Sequence, residues 1–206
     1  GGTELIVHLL TEELVRRGHE VTLFAAGDSR TSARLRAVQA TSTTEAMRQG
    51  KAFEYGHYTN AAVAEVLSES SEFDVIHSHL GCSYIPFSLV SRAPVLHTPH
   101  IGLSIDDRWV ISRYPFSKIS AISNSQISVL DPQLRMGCPV VHHGIDFSEY
   151  SMSICDGEYL AFLGRMGPQK SPVDAIKIAN LAGIPIVLAG CPQNEVEQEY
   201  FSQEVK

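Results

Sequence analysis

Long apolar segments and an excess of basic residues are both missing from this sequence. No apolar run approaches the roughly 20 residues that a membrane-spanning helix needs. The 206 residues carry 16 lysines and arginines against 23 aspartates and glutamates, a formal net charge of -7, whereas binding to nucleic acid calls for basic patches. The same acidic balance disfavours attachment to a membrane through a basic face. We therefore predict no nucleic-acid partner and no transmembrane segment, and a peripheral membrane contact is not indicated.

Paired cysteines and a hydrolase motif are also absent. The four cysteines are widely separated and form no Cys-x-x-Cys pair: Cys82, Cys138, Cys155 and Cys191. Scattered thiols are typical of a reduced protein and not of a disulfide framework or a zinc site. A Ser-His-Asp hydrolase is disfavoured because no Gly-x-Ser-x-Gly elbow occurs. We predict a cytoplasmic globular protein with no metal and no other cofactor.

What is present is a strand, loop and helix in the last quarter of the chain. The apolar run 159–163 ends at Gly164-Arg165, Lys170 follows, and a helix opens near Ser171. Ser171 is predicted to be the N-cap, with Asp174 closing a capping box. Two cations at the carboxyl end of a strand, beside a helix N-terminus, suit a diphosphate. On spacing alone, a solvated loop that happens to carry two basic residues is the favoured interpretation, because short motifs often match by accident.

Apolar segments and turn residues predict further alternating elements along the chain. Strands are expected at 21–26, 35–38, 73–79, 94–100, 118–123 and 186–190. Helices are expected at 3–17, at 44–70 with a break near Gly50 or Gly56, and at 80–90, 106–114 and 194–204. Runs of this kind are typical of a Rossmann-like, doubly wound parallel sheet.

Several ordered motifs resemble glycosyltransferase family 4. They are Gly164-Arg165 with Lys170, Ile186 to Gly190, Asp74 to His79, Asn124-Ser125-Gln126, and His143-Gly144-Ile145-Asp146, where the family usually has asparagine at the first position. Ser171 is a second departure, since glycine usually follows the lysine. The resemblance implies the GT-B architecture, two Rossmann-like domains facing each other across a cleft. It places an acceptor-side domain at 1–146, a linker at 147–157 and the start of a nucleotide-sugar donor domain at 158–206.

The resemblance also implies an activity and a set of site residues. It implies transfer of a sugar from a nucleotide-diphosphate donor to a hydroxyl acceptor, with retention and without metal. Carried over, Arg165, Lys170 and Gly2 are donor-binding, His100 is the catalytic residue near the transferred sugar, and His79 binds the acceptor. His79 and His100 also stand where the predicted strands 73–79 and 94–100 leave the sheet, which is where ligands bind in open α/β folds. For His79, simple loop packing is an equal alternative. A nucleotide-sugar epimerase of GT-B architecture and a non-catalytic Rossmann-type binding module remain alternative functions.

Two further expectations concern what the chain contains. It begins with a helix after Gly1-Gly2, where a βαβ sheet normally begins with a strand, and the Glu-x7-Glu pair usual in family 4 donor domains is not found in 191–206. We therefore expect a fragment that lacks the first strand and most of the donor domain, with little transferase activity of its own. A zinc site built from His77, His79, His97 and His100 is a minor alternative, because no carboxylate or cysteine is placed in sequence to complete it.

Overall fold

The computed structural model describes residues 2–151 and 157–206. The chain divides into two compact units, residues 1–149 and 150–206. Part of the predicted linker 147–157, together with Cys155, lies outside the described residues. Both units combine helices with parallel strands, which confirms the predicted α/β, Rossmann-like fold class. Among the described residues, no helix has the length and apolar character needed to cross a bilayer.

The first unit contains six helices and five strands among its described residues. In chain order they are α1 (Gly2–Arg16), β1 (Thr22–Ala26), β2 (Arg34–Gln39), α2 (Thr43–Arg48), α3 (Tyr55–Ser68), β3 (Ile76–Ser78), β4 (Val95–His97), α4 (Ile105–Arg113), β5 (Lys118–Ile119), α5 (Asn124–Ile127) and α6 (Pro132–Met136). β1 pairs with β2, and β3, β4 and β5 pair in that order, all in parallel. A bridge between Ala121 and Val140 continues the pairing beyond β5.

The core of the first unit lies between the β3-β4-β5 sheet and the segments that follow it. Its buried members are Cys82, Ile85, Ile111, Ile119, Ala121, Ile127, Leu130 and Cys138. α4 supplies Ile111 and is held at its start by a capping box between Ser104 and Asp107. Apolar packing against this core therefore holds the loops that follow β4 and β5 in place.

Two predicted elements of the first unit differ in the structure, and two short helices were not predicted. The helix expected at 80–90 is a 3-10 helix, Cys82–Val90, with Pro86 inside it, a residue that removes a backbone donor. The strand expected at 118–123 is regular only at Lys118–Ile119. The short helices α5 and α6 were not predicted, because each is too short to show an apolar period.

The second unit contains β6 (Leu160–Leu163), α7 (Pro172–Ala182), β7 (Ile186–Ala189), α8 (Glu195–Tyr200) and a π-helical turn at Phe201–Val205. β6 and β7 are parallel partners. Their ends approach so closely that a Cβ on Gly190, whose φ is +153°, would lie 1.8 Å from the Gly164 carbonyl oxygen. Only glycine fits there. Gly183, with a φ of +66°, ends α7 as predicted.

Ser171 is the N-cap residue of α7, as predicted, but its side chain makes no capping hydrogen bond. A 3-10 turn at Pro168–Lys170 precedes α7, and Ser171 joins the two in the left-handed region at φ 54°. In that conformation its hydroxyl donates back to the Pro168 carbonyl at 3.1 Å. No capping box with Asp174 forms, and the Asp174 carboxylate pairs with Lys177 instead.

Candidate functional site

The ends of β3 and β4 bring His79 and His100 together. The strands are parallel and in register, with His77 opposite Leu96, so every second residue after these faces the same side of the sheet. Accordingly, His77 Nε2 lies 2.8 Å from the Thr98 hydroxyl, and His79 Nδ1 lies 2.8 Å from His100 Nε2. The prediction that both histidines stand where strands leave the sheet thus agrees with their placement.

A third imidazole, which the sequence analysis left without a role, joins this pair. His143 follows the strand segment that begins at Val140, and its Nε2 lies 3.2 Å from His100 Nδ1. The His100 ring centroid is 5.1 Å from that of His79 and 4.9 Å from that of His143. We call His79, His100 and His143 the histidine row. The same strand-end rule that singled out His79 and His100 was a signal for His143.

The histidine row couples the protonation of its members. A neutral imidazole has one donor and one acceptor nitrogen, and both nitrogens of His100 are engaged. His100 must therefore donate to one neighbour while it accepts from the other. Any tautomer change at His100 requires a matching change at His79 and His143.

Burial and mutual repulsion lower the pKa values of His79 and His100 and keep both imidazoles neutral near pH 7. Burial, with smaller contributions from the charges of His77, His100 and His143, lowers the pKa of His79 to about 3. Burial also lowers the pKa of His100, as does His143, while the Glu4 carboxylate on α1 acts in the opposite direction. The first turn of α1 therefore lies within electrostatic range of the row.

The zinc alternative receives no support from the arrangement of the side chains. His97 is three residues from His100, so in an extended chain the two point to opposite faces. It is 3% exposed, and neither ring nitrogen has a hydrogen-bond partner among the described residues. Within 2–151 and 157–206, no group of three or more histidine, cysteine or acidic side chains is arranged to hold a metal ion.

An open pocket of ≈ 340 Å³ borders His100. Its lining mixes apolar and polar side chains from the loops after β4 and β5: His100, Ile101, Gly102, Leu103, Ile122, Ser123, Ser125, Gln126 and Val129. Pockets with a few polar groups over an apolar lining are typical of small-molecule sites. Gly2, the other predicted site residue of this unit, opens α1, and a Cβ there would meet nothing within 4 Å.

In the second unit, Arg165 and Lys170 lie at the end of β6. The Cβ of Lys170 is 3.8 Å from the position that a Cβ on Gly164 would take, so the turn brings the start of this side chain back to the end of β6. Lys170 is exposed, at the end of the turn that leads into α7. Both predicted cations are thus attached to the loop at this strand end.

Arg165 has a counter-ion that the sequence analysis missed. Its Nη1 lies 3.3 Å from Oε1 of Glu197, whose side chain is only 13% exposed. Glu197 also accepts a hydrogen bond from the Gln193 backbone N–H at 2.9 Å. A Cβ on Gly167 would lie 2.9 Å from the Glu197 Cγ, so this glycine makes room for the carboxylate. Any anion bound by Arg165 must share the guanidinium with Glu197 or displace it.

The comparison with protein families agrees with this architecture. The family model described as Glycosyltransferase Family 4 matches residues 1–149. Because the match covers well over half of the 206 residues, the chain belongs to glycosyltransferase family 4, and its general class is that of the glycosyltransferases. The family resemblance drawn from the motifs is thereby confirmed. Arg165 and Lys170 lie beyond the matched residues. No curated protein matches the chain.

The lowered pKa of His79 predicts a pH-dependent stability. Histidines titrate near pH 6.5 when unfolded, but burial keeps the pKa of folded His79 at about 3. Below pH 6.5 the unfolded state therefore binds more protons, and the free energy of unfolding falls by up to ~1.4 kcal/mol per pH unit for each such histidine. We expect urea unfolding, followed by the fluorescence of Trp109, to show this loss between pH 7 and 5. Most carboxylates titrate below that window.

The variant His79→Gln should reduce that slope, since glutamine can still hydrogen-bond to His100 but does not titrate. The exposed His19 provides the control, and His19→Gln should leave the slope unchanged. An unchanged slope in folded His79→Gln would show that the row does not exclude protons.

Proposed function

We propose that the protein transfers a sugar from a nucleoside-diphosphate donor to a hydroxyl acceptor in the cytoplasm, with retention at the anomeric carbon. The observation that carries the proposal is the histidine row beside an open pocket, at the strand ends of the unit that matches the family. In open α/β sheets, ligands bind at the carboxyl ends of the strands. Family membership supplies the reaction class, and the row supplies polar groups suited to sugar hydroxyls.

In this proposal His100 contacts the transferred sugar. Burial lowers the pKa of His100, so its imidazole is neutral at pH 7 and can donate or accept one hydrogen bond. The longer bond of the row, 3.2 Å to the exposed His143, is the one that a sugar hydroxyl would replace. His79, held at 2.8 Å on the other side, fixes the ring and contacts the acceptor.

Arg165 and Lys170 are proposed to bind the donor diphosphate, assisted by the N-terminus of the eleven-residue helix α7. As the glycosidic bond breaks, negative charge grows on the departing diphosphate, and fixed cations stabilise that charge. The leaving phosphate then takes the proton of the acceptor hydroxyl on the same face of the sugar, which accounts for retention. No metal and no cofactor takes part in this scheme.

Replacing either cation should weaken nucleoside-diphosphate binding. Hydrogen bonds to charged groups contribute ~1.5–3 kcal/mol, so Arg165→Ala and Lys170→Ala should each raise the Kd by ~10- to 100-fold. Calorimetry with a series of nucleoside diphosphates and the full-length gene product gives the measurement. Lys177→Ala, which removes an exposed lysine of α7 paired with Asp174, is the matched control. Unchanged affinity in both test variants would place the phosphate site elsewhere.

Neutralising Glu197 should have the opposite effect on the same measurement. Glu197→Gln can still accept the hydrogen bond from the Gln193 N–H, but it no longer attracts the Arg165 guanidinium as a charge. A diphosphate then competes with no carboxylate, and we expect the Kd to fall by up to ~5-fold, since partly exposed ion pairs contribute about 0–1 kcal/mol. A weaker diphosphate complex would mean that Glu197 orients Arg165 for the ligand.

Removing the His100 imidazole should slow transfer without weakening nucleotide binding. His100 belongs to the first unit and the two cations to the second, so His100→Ala should leave the nucleoside-diphosphate Kd within about 2-fold. Loss of a hydrogen bond that strengthens in the transition state should lower kcat and kcat/KM together, by ~100-fold or more.

The assay for this prediction combines the full-length gene product with a panel of nucleotide sugars, and NMR of the product determines the anomer. His57→Ala, at an exposed position on α3, serves as the control. If folded His100→Ala keeps full kcat, His100 is a strand-end residue only, and His79 becomes the better candidate.

A further inference from the structure

One buried glutamine connects the loops that carry the histidine row and its pocket. Gln126 lies on α5 and is 7% exposed. Its Nε2 donates to two carbonyls, of Pro99 at 2.9 Å and of Ile101 at 2.6 Å, and its Oε1 accepts from the Ile122 N–H at 2.9 Å. Three of the four hydrogen bonds that this amide can make are therefore formed with backbone groups.

These three bonds replace a strand ladder where the sheet has ended. β4 ends at His97 and β5 at Ile119, so the segment 99–101 and Ile122 both lie beyond regular pairing. Backbone groups at such positions need partners when they are shielded from water. The side chain of Gln126 supplies two donors to one loop and one acceptor to the other, and it thereby ties the two strand ends together.

The two carbonyls that Gln126 holds flank His100 on both sides. Pro99 and Ile101 are its chain neighbours, so the backbone on each side of the imidazole is fixed by one amide group. Gln126 does not contact the His100 ring; the ring's hydrogen-bond partners are His79 and His143. Its influence on the ring therefore passes through the backbone, and it also forms one wall of the ≈ 340 Å³ pocket.

We infer that Gln126 is the positioning residue of His100: it sets the distance of the imidazole from His79 and His143 and fixes the pocket wall beside it. Its role in turnover rests on the proposed function. A displacement of about 1 Å in a reacting group can lower a rate by ~100-fold, so the three bonds can matter for transfer without any contact between Gln126 and substrate.

The variant Gln126→Met tests this inference, because methionine keeps the length and shape of the side chain and removes all three hydrogen bonds. The matched control is Gln39→Met, at a half-buried glutamine of β2 whose Nε2 donates to the Thr43 hydroxyl at 2.6 Å. Thermal melting establishes that each variant folds. Gln126→Glu is the second variant; it keeps an acceptor for the Ile122 N–H and directs its other oxygen at two carbonyls.

The first measurement is independent of activity. Two-dimensional proton–nitrogen spectra of the imidazoles report the tautomer and hydrogen bonding of each histidine. In Gln126→Met we expect the ring signals of His100 to shift away from the wild-type pattern, with His79 and His143 following, whereas Gln39→Met leaves all three unchanged. Unchanged His100 signals in folded Gln126→Met and Gln126→Glu would overturn the inference.

The second measurement is turnover by the full-length gene product. Gln126→Met should lower kcat by ~10- to 100-fold while the Kd for a nucleoside diphosphate stays within about 2-fold. In Gln126→Glu, the pKa of the buried carboxyl is expected to be raised. As the pH falls through that pKa, the carboxyl becomes protonated and can donate one hydrogen bond, so this variant should recover part of its lost kcat relative to wild type at the same pH. Full kcat in Gln126→Met, beside a slow His100→Ala, would overturn the inference. Full kcat in His100→Ala would instead overturn the catalytic role proposed for His100, and the imidazole spectra alone would then decide the role of Gln126.

Discussion

The arrangement of the candidate site depends on the parallel register between β3 and β4. Because Ile76 pairs with Val95 and side chains alternate along a strand, His77 and His79 share a face with Thr98 and His100. A slip of one residue would reverse the faces and bring Pro99 or Ile101 to the place that His100 now occupies. The buried core beneath the sheet, which includes Ile85 and Ile119, prevents such a slip because it would expose apolar side chains to water.

The sequence predicted where the candidate histidines lie in the fold, but it did not predict which side chains they contact. The rule that ligands bind at strand ends singled out His79 and His100, and the structure places their rings 2.8 Å apart at the nearest nitrogens. The sequence also suggested His97 as a ligand of a zinc ion shared with His100, but side chains alternate along a strand, so the two histidines point to opposite faces. His143 was noticed only as a substitution for asparagine. Its contact with His100 spans 43 positions, and no local pattern encodes a separation of that length.

In the loop after β6 as well, the features that depend on neighbouring residues were predicted and a contact with a distant residue was not. Strand, glycine, cations and helix were all predicted in order, because each leaves a local trace. The capping role of Ser171 was not realised, since the preceding 3-10 turn forces this residue into the left-handed region, where its hydroxyl reaches Pro168 instead of the helix start. The pairing of Arg165 with Glu197 could not be predicted, because the sequence offers several nearby glutamates at no distinctive spacing.

In both units, the polar groups that we propose to bind substrate already interact with other protein groups, and a ligand can replace those partners at a small cost in free energy. The guanidinium of Arg165 pairs with a carboxylate across 3.3 Å at 40% exposure, and such pairs contribute about 0–1 kcal/mol. The bond between His100 and the exposed His143 is the longer one of the row, at 3.2 Å, and a typical hydrogen bond contributes ~1 kcal/mol. These weak partners hold each group in a defined orientation, so a diphosphate or a sugar hydroxyl that binds as proposed would meet side chains that are already ordered. Displacing such a weak partner would reduce the binding free energy of the ligand only slightly. Two other sets of contacts keep His100 in position when its bond to His143 is exchanged for a ligand. They are the shorter bond to His79 and the bonds from Gln126 to the backbone on either side of His100.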